Sequence, residues 1–153
     1  MNRLSNMKTI IFLITVTLSA ALFTSCKDDD GGNESSIVGT WKDVSFSDEK
    51  LKNGVSQGIV DSGTVSDQDA TTFTFKSDGK FVESYIELSK TITDSGAYTI
   101  KGNVITMTYD SNNAVEEYTF TVAGNVLTLV FTEEHTESND VIKNVTSTIY
   151  NRQ

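Results

Sequence analysis

This sequence has few residues that could stabilise a small domain through a disulfide or a metal site. Its 153 residues include one cysteine, one histidine and no proline. One cysteine cannot form an internal disulfide, and one cysteine with one histidine cannot supply the four ligands of a structural zinc site. Basic residues are also scarce, 12 against 21 acidic ones. Because phosphate binding needs clustered lysine and arginine, this balance argues against nucleic acid as a partner.

Acidic residues are absent from the first part of the chain. Residues 1–25 contain Arg3 and Lys8 but no acid, and residues 9–23 form a mostly apolar stretch. A basic start, a short apolar stretch and small residues are typical of a secretory signal peptide. The stretch is shorter than the roughly 20 residues that a membrane-spanning helix needs. We therefore predict a signal peptide over residues 1–25, with a short membrane anchor as the alternative.

The end of this stretch, residues 22–26, reads Leu-Phe-Thr-Ser-Cys and resembles the lipobox of bacterial lipoproteins. Phe23 occupies the place where leucine is usual, and Leu22 lies one place earlier. The resemblance implies that Cys26 carries lipid and becomes the first residue of the mature chain. Several acyl chains on one residue would anchor the protein stably in a membrane. The location implied is the bacterial outer membrane.

Residues 26–36 combine three adjacent aspartates with glycine, asparagine and serine. Like charges repel, and such a composition is flexible, so we interpret this segment as a tether. The acidic run after the cysteine also resembles the surface-export signal of Bacteroidetes-type lipoproteins. The cell surface and the periplasmic face of the membrane stay open as alternatives. Without residues 1–25 the chain has ten basic and 21 acidic residues, a net charge of −11.

From residue 37 onward, apolar and polar residues alternate with the period of β-strands. Two-residue turns are predicted at 102–103 and 124–125, both Gly-Asn, which accept positive φ. The first turn pairs Tyr98 with Met107, and a slip of one residue would mix the two faces. The second turn places Phe120 and Tyr118 opposite apolar residues of the returning strand. The sequence thus predicts two hairpins with defined registers.

Other strands are predicted from weaker patterns. A hairpin around residues 78–79 pairs Phe75 either with Val82 or with Phe81, and we favour Phe81 because that register joins two aromatic rings. Residues 38–46 are predicted as the first strand and 141–150 as the last. Residues 53–60 are predicted as a short strand, although the glycines within and just after it are unfavourable in a strand.

About eight or nine strands joined by tight turns make an antiparallel meander, and one domain's length of chain remains for it. Closure of the sheet into a barrel removes its exposed edges. An immunoglobulin-like sandwich is the alternative, but it uses crossover connections and commonly surrounds an inner-strand tryptophan with a cysteine pair. The only tryptophan here, Trp41, is on the first predicted strand. We predict an all-β barrel of about eight strands over residues 37–153.

Gly39-Thr40-Trp41 resembles the Gly-x-Trp start of lipocalins, and the chain is similar to bacterial lipocalin-like domains of surface lipoproteins over residues 37–152. The resemblance implies that Gly39 lets the chain turn beneath the barrel floor while Trp41 plugs that end. It also implies that an arginine of the last strand packs over the tryptophan. Arg152 is the candidate for this cation–π contact.

The resemblance further implies a cup-shaped barrel that binds a small apolar or amphipathic molecule, without catalysis or a cofactor. An eight-stranded barrel is wide enough for one such ligand or for a solid core. A filled barrel that binds a partner protein or a glycan is therefore the alternative. The candidate lining residues are inward-facing aromatic and aliphatic ones, each of which could equally fill the core. They are Phe73, Phe75, Tyr98, Ile100, Met107, Tyr118, Phe120, Leu129 and Phe131.

Two patterns suggest chemistry. Residues 54–58 match G-x-S-x-G, but a nucleophile elbow needs a strand, a sharp turn and a helix, and residues 59–63 do not start a helix. On a strand, Glu133, His135 and Glu137 would share a face and could hold a metal ion. A solvated strand end is the alternative for these three residues. We predict neither an enzyme nor a metal site.

Overall fold

The computed structural model describes residues 34–153, which form one short helix and nine β-strands. The elements are α1 Glu34–Ile37, β1 Gly39–Lys52, β2 Val55–Thr64, β3 Thr72–Phe75, β4 Lys80–Glu87, β5 Lys90–Lys101, β6 Val104–Tyr109, β7 Val115–Ala123, β8 Val126–Glu137 and β9 Asp140–Arg152. Within this part of the chain, no helix has the length and apolar character needed to cross a membrane.

The strands form one antiparallel sheet in which each strand from β3 to β9 pairs with the next. The first and last strands also pair, from Trp41 opposite Arg152 to Lys52 opposite Ile142. This pairing closes β1 and β3–β9 into an eight-stranded barrel, with β2 as an additional strand. The predicted all-β barrel is confirmed, and the sandwich alternative is wrong.

Strand β1 is long enough to have two neighbours along one edge. Its residues 39–42 pair with β3, and its residues 45–52 pair with β2. Its other edge pairs with β9 along its length, with a register shift between Asp43 and Ser45. Strand β2 has no partner on its outer edge among residues 34–153, and it is exposed along almost its whole length.

The structure extends and corrects the weaker strand predictions. The predicted strand at 53–60 is β2, which runs from Val55 to Thr64. Its glycines do not end the strand; Gly58 adopts φ +93° beside the register shifts of the β1–β2 pair. This is the bulge geometry that glycine permits. The first predicted strand, 38–46, likewise continues as far as Lys52.

The predicted hairpin registers are confirmed. Tyr98 pairs with Met107, and Phe75 pairs with Phe81. Gly79 has φ +76° in the turn between β3 and β4, where a left-handed conformation allows the extra turn residue. These turns therefore direct aromatic side chains of successive strands into the barrel.

The core fills the end of the barrel that holds both α1 and the C-terminal residue of β9. Its largest fully buried side chains are Trp41, Phe75, Phe81, Phe120, Ile37, Ile105, Met107, Leu127 and Leu129. Gly96 lies within this packing on β5, where a Cβ atom would overlap the carbonyl oxygen of Thr108 and lie 2.7 Å from Cε1 of Phe81. Only glycine allows β5 and β6 to approach so closely at this point.

Candidate functional site

The closed end of the barrel is built around Arg152 and Trp41. The guanidinium carbon of Arg152 lies 4.1 Å from the centroid of the Trp41 ring. Its two terminal nitrogens donate to the carbonyl oxygens of Val38 at 2.9 Å and Ser36 at 2.8 Å. The Trp41 indole N–H donates to the carbonyl oxygen of Ile37 at 2.6 Å. The predicted Trp–Arg contact is thus present, and it binds α1 to the barrel floor.

Gly39 makes this floor possible. It adopts φ +143°, and a Cβ atom at this position would overlap a guanidinium nitrogen of Arg152. Both the backbone conformation and the space above it therefore require glycine. The glycine of the Gly-x-Trp sequence is therefore explained by the close approach of Arg152 to the backbone at residue 39.

Of the nine predicted lining residues, six are buried, and Ile100, Tyr118 and Phe131 are only partly buried. A separate question is which of them line a cavity. Four do, in a cavity above the core, on the side away from the floor: Phe73, Tyr118, Leu129 and Phe131. The other five pack below the cavity or beside it, as core rather than wall. They are Phe75, Tyr98, Ile100, Met107 and Phe120.

The cavity has a volume of about 400 Å³ and lies inside the upper half of the barrel. Its apolar wall includes Phe73, Leu129 and Phe131, and the rings of Tyr118 and Phe131 lie 5.4 Å apart. Sequence reasoning missed its polar wall, which Asp43, Asp48, Glu83, Thr71, Thr146, Thr148 and Tyr150 provide together. A second cavity, of about 460 Å³, lies between the tips of the β1–β2 and β8–β9 hairpins, where Lys52 and Asp140 form an ion pair at 2.7 Å.

Two of the missed carboxylates come from β1. Asp43 is only 9 % exposed, and its Oδ1 accepts a hydrogen bond from the backbone N–H of Thr71 at 2.9 Å. Burial raises the pKa of Asp43 above its ordinary value. Asp48 lies higher in the cavity and accepts a hydrogen bond from the Thr146 hydroxyl at 2.6 Å.

The third missed carboxylate, Glu83 on β4, belongs to a hydrogen-bonded network. The Tyr109 hydroxyl lies 3.0 Å from Oε2 of Glu83 and 3.3 Å from Oε2 of Glu116. The Tyr118 hydroxyl donates to the same Glu116 oxygen at 2.6 Å. Burial raises the pKa of Glu83, and burial is also the main cause that raises the pKa of both tyrosines. Both hydroxyls therefore stay protonated and act as donors at neutral pH.

The inward position of Asp43 and Glu83 had a signal in the sequence. Asp43 follows Trp41 by two residues, and Glu83 follows Phe81 by two, so each shares the inner face of its strand with a core aromatic. The predicted lining residues were all aromatic or aliphatic, so the two carboxylates were not among them. The alternation predicts the face on which a carboxylate lies, although it does not predict the partners that the carboxylate finds there.

The structure also locates the two patterns that suggested chemistry. Ser56 lies within β2 and its hydroxyl donates to the carboxylate of Glu49, so strand surrounds it instead of a strand-to-helix turn. Glu133, His135 and Glu137 lie along the exposed upper part of β8. Among residues 34–153, no group of three or more histidine, cysteine, aspartate or glutamate side chains is arranged to hold a metal ion.

Comparison with known proteins agrees with this architecture. Residues 37–129 match the profile of the lipocalin-like domain family, a match that spans more than half of the chain. The protein belongs to the lipocalin-like domain family.

Among solved structures, an uncharacterised protein from Bacteroides eggerthii DSM 20697 is similar, with 12 % sequence identity and a TM-score of 0.47. The match covers 76 % of this chain and 98 % of that one. No curated protein matches the sequence.

Proposed function

We propose that this protein is a lipid-anchored binding protein of the bacterial cell envelope, whose barrel takes up a small apolar or amphipathic molecule. The observation that carries the proposal is the cavity of about 400 Å³ above the core. Small-molecule pockets commonly measure about 300–1,000 Å³ and combine apolar walls with a few polar groups. The wall of Phe73, Leu129 and Phe131 beside Asp43 and Glu83 has this composition.

The fold supports a role in binding rather than catalysis. The floor, held by Arg152 and Trp41, is rigid and closed, while the cavity lies toward the opposite end. The match to the lipocalin-like domain family also supports binding, since that resemblance implies a barrel without catalysis. We therefore propose a non-catalytic protein.

The second candidate function is an interaction module that binds a partner protein or a glycan. The exposed strand β2 favours it, because Val55, Ile59 and Val60 are each more than 60 % exposed there. An unpaired edge with apolar side chains can accept a further strand from a partner. The cavity favours the small ligand over this alternative, since a module of this kind needs no space inside the barrel.

Native mass spectrometry of the full chain, purified in detergent, tests the ligand proposal. We expect a co-purified small molecule, and we expect Thr148→Phe to remove it, because Thr148 lines the cavity and a phenyl ring would fill it. Thr121→Phe is the matched control, because Thr121 is exposed on the outer face of β7. Retention of the molecule by Thr148→Phe would place its binding site elsewhere. Absence of any bound molecule, together with no binding of added amphiphiles, would contradict the proposal.

The anchoring proposal depends on Cys26, which lies outside the described residues, as do the proposed signal peptide and most of the tether. It is supported by the apolar stretch and the lipobox-like sequence. In bacterial cells, Cys26→Ser should abolish incorporation of labelled palmitate and shift the protein out of the membrane fraction. Ser35→Ala, in α1, should do neither. Labelling of the Cys26→Ser variant would contradict the proposal.

A further inference from the structure

The charged groups that face the cavity all have the same sign. Asp43 and Asp48 reach it from β1 and Glu83 from β4, and no lysine, arginine or histidine among residues 34–153 lines it. Two further acids lie behind this wall. Glu116 on β7 shares the Tyr109 hydroxyl with Glu83, and the charge of Asp94 on β5 also acts on Glu83.

None of these carboxylates forms an ion pair in the described part of the chain, although the charge of Lys42 acts to lower the pKa of Asp43 against the larger effect of burial. The ion pairs among residues 34–153 join Lys42 to Asp67, Lys52 to Asp140 and Lys143 to Glu134, all at the surface. Removing a carboxylate from water is costly unless a partner compensates its charge. The cavity is thus short of positive charge.

Asp43 shows most clearly that the cavity lacks a positively charged partner for its carboxylates. Its side chain is more than nine-tenths buried and lines the cavity. Its hydrogen-bond donor is the backbone N–H of Thr71, and no side chain in the described part of the chain donates to it. The neighbouring Lys42 forms its ion pair with Asp67 at 2.6 Å instead.

Glu83 is only partly compensated by its neighbours. A tyrosine hydroxyl has one proton to donate, so Tyr109 cannot satisfy Glu83 and Glu116 at the same moment. Glu116 has a second donor in Tyr118, at 2.6 Å. Glu83 has no second donor among the described side chains, so part of its acceptor capacity stays available to a group in the cavity.

The rest of the wall fits the body of an organic molecule. Phe73, Leu129 and Phe131 line the same cavity, and Phe73 stacks on Phe75 with 5.6 Å between ring centroids. An apolar body would bury surface against these side chains, and aromatic faces also attract cations. A bare metal ion would use none of this wall, and no described group of carboxylates is arranged to hold one.

We propose that the barrel selects a cationic amphiphile, an organic ammonium ion with an apolar body. The ammonium group would lie between Asp43 and Glu83, and the body would lie against Phe73, Leu129 and Phe131. This inference depends on the proposed function, since it names the class of ligand for the same cavity. The bound cation supplies the charge that the barrel lacks.

A series of probes that differ only in the head group tests the inference. Octylamine, octanol and octanoate share one alkyl chain and would be titrated into the full chain in the same non-ionic detergent, with binding measured by calorimetry. We expect octylamine to bind about tenfold more tightly than octanol, equivalent to about 1.4 kcal/mol, and octanoate to bind most weakly. Octanol or octanoate binding as tightly as octylamine would overturn the inference while leaving the proposed function in place.

Substitution of Glu83 provides the second arm of the test. Glu83→Gln keeps the shape and can still accept from Tyr109, and we expect it to weaken octylamine binding about tenfold and octanol binding much less. Glu117→Gln removes the same charge from the outer face of β7, where Glu117 is exposed, and should leave both affinities unchanged. Equal octylamine affinity in wild type and Glu83→Gln would overturn the inference. No binding of any of the three probes would overturn the proposed function as well.

Discussion

The two halves of the barrel interior handle polar groups in opposite ways. At the floor, the guanidinium of Arg152 lies on the Trp41 ring and both of its terminal nitrogens donate to carbonyl oxygens. In the upper half, Asp43 and Glu83 face a cavity, and neither forms an ion pair with a residue between 34 and 153. The floor is therefore arranged for stability, whereas the upper half keeps uncompensated groups that a ligand could satisfy. Polar groups that lack some of their hydrogen-bond or charge partners are expected at functional sites.

Removal of the floor plug should have the largest effect. Trp41 is fully buried, and we expect Trp41→Ala to lower the free energy of unfolding by about 3–5 kcal/mol. Phe131→Ala is the matched comparison in the upper half, where the side chain is only partly buried beside open space, and it should cost clearly less. Urea unfolding measures both values. Equal losses would show that the two halves are packed alike.

Gly39→Ala should be the next largest perturbation of the floor. The new methyl group would overlap Arg152. The fold also keeps residue 39 at φ +143°, where an alanine is strained at a cost on the order of 1–3 kcal/mol. Gly54→Ala separates the two causes, because Gly54 also has positive φ, +78°, but nothing lies within 4 Å of the added atom. We expect a larger loss of stability at Gly39. A smaller loss there than at Gly54 would mean that Arg152 readily moves aside.

Arg152→Ala should lower the melting temperature, since it removes the contact with Trp41 and the hydrogen bonds to the carbonyl oxygens of Ser36 in α1 and Val38 just after it. A cation–π contact contributes about 0.5–2 kcal/mol. Arg152→Lys keeps the charge but lacks the planar fork that reaches both carbonyls, so it should recover only part of the loss. An unchanged melting temperature in Arg152→Ala would contradict a stabilising role for the pair.

The smallest expected effect is that of Glu83→Gln, which should raise the free energy of unfolding at neutral pH where the other substitutions lower it. Burial raises the pKa of Glu83 above its ordinary 4.5, so ionisation is harder in the folded chain than in the unfolded one. Its favourable contribution to stability is complete below pH 4.5 and is lost as the pH rises through the raised pKa. Relative to wild type, Glu83→Gln should therefore become more stable between pH 4 and pH 7, as measured by urea unfolding. A constant difference across this range would contradict it.

How much of the molecule the sequence predicts depends on how local the determining interaction is. The Gly-Asn turn after Lys101 defines its hairpin, and the Tyr98–Met107 register follows from it. The turn between β4 and β5 is formed by Leu88 and Ser89, both with positive φ. Because neither residue type normally favours that conformation, the sequence carries no signal for this turn.

The candidate site was predicted less completely than the fold. Alternation identified inward residues, but it could not distinguish Phe120, which is buried in the core, from Phe131, which lines the cavity. That difference depends on how far each strand extends above the floor, and so on pairings between distant parts of the chain. The link between Tyr109 and Glu83 joins residues on strands that are not neighbours in the sheet.

The pairing of β1 with β9 has a consequence for how the chain folds. Trp41 and Arg152 are neighbours across this ladder although almost the whole domain separates them in sequence. The hairpins between successive strands can form early, because each closes a short loop. The last ladder joins residues from 90 positions apart (Lys52 and Ile142) to 111 positions apart (Trp41 and Arg152), and proteins dominated by such distant contacts fold slowly. We expect barrel closure to be the late step, completed only once the final strand is available to the first.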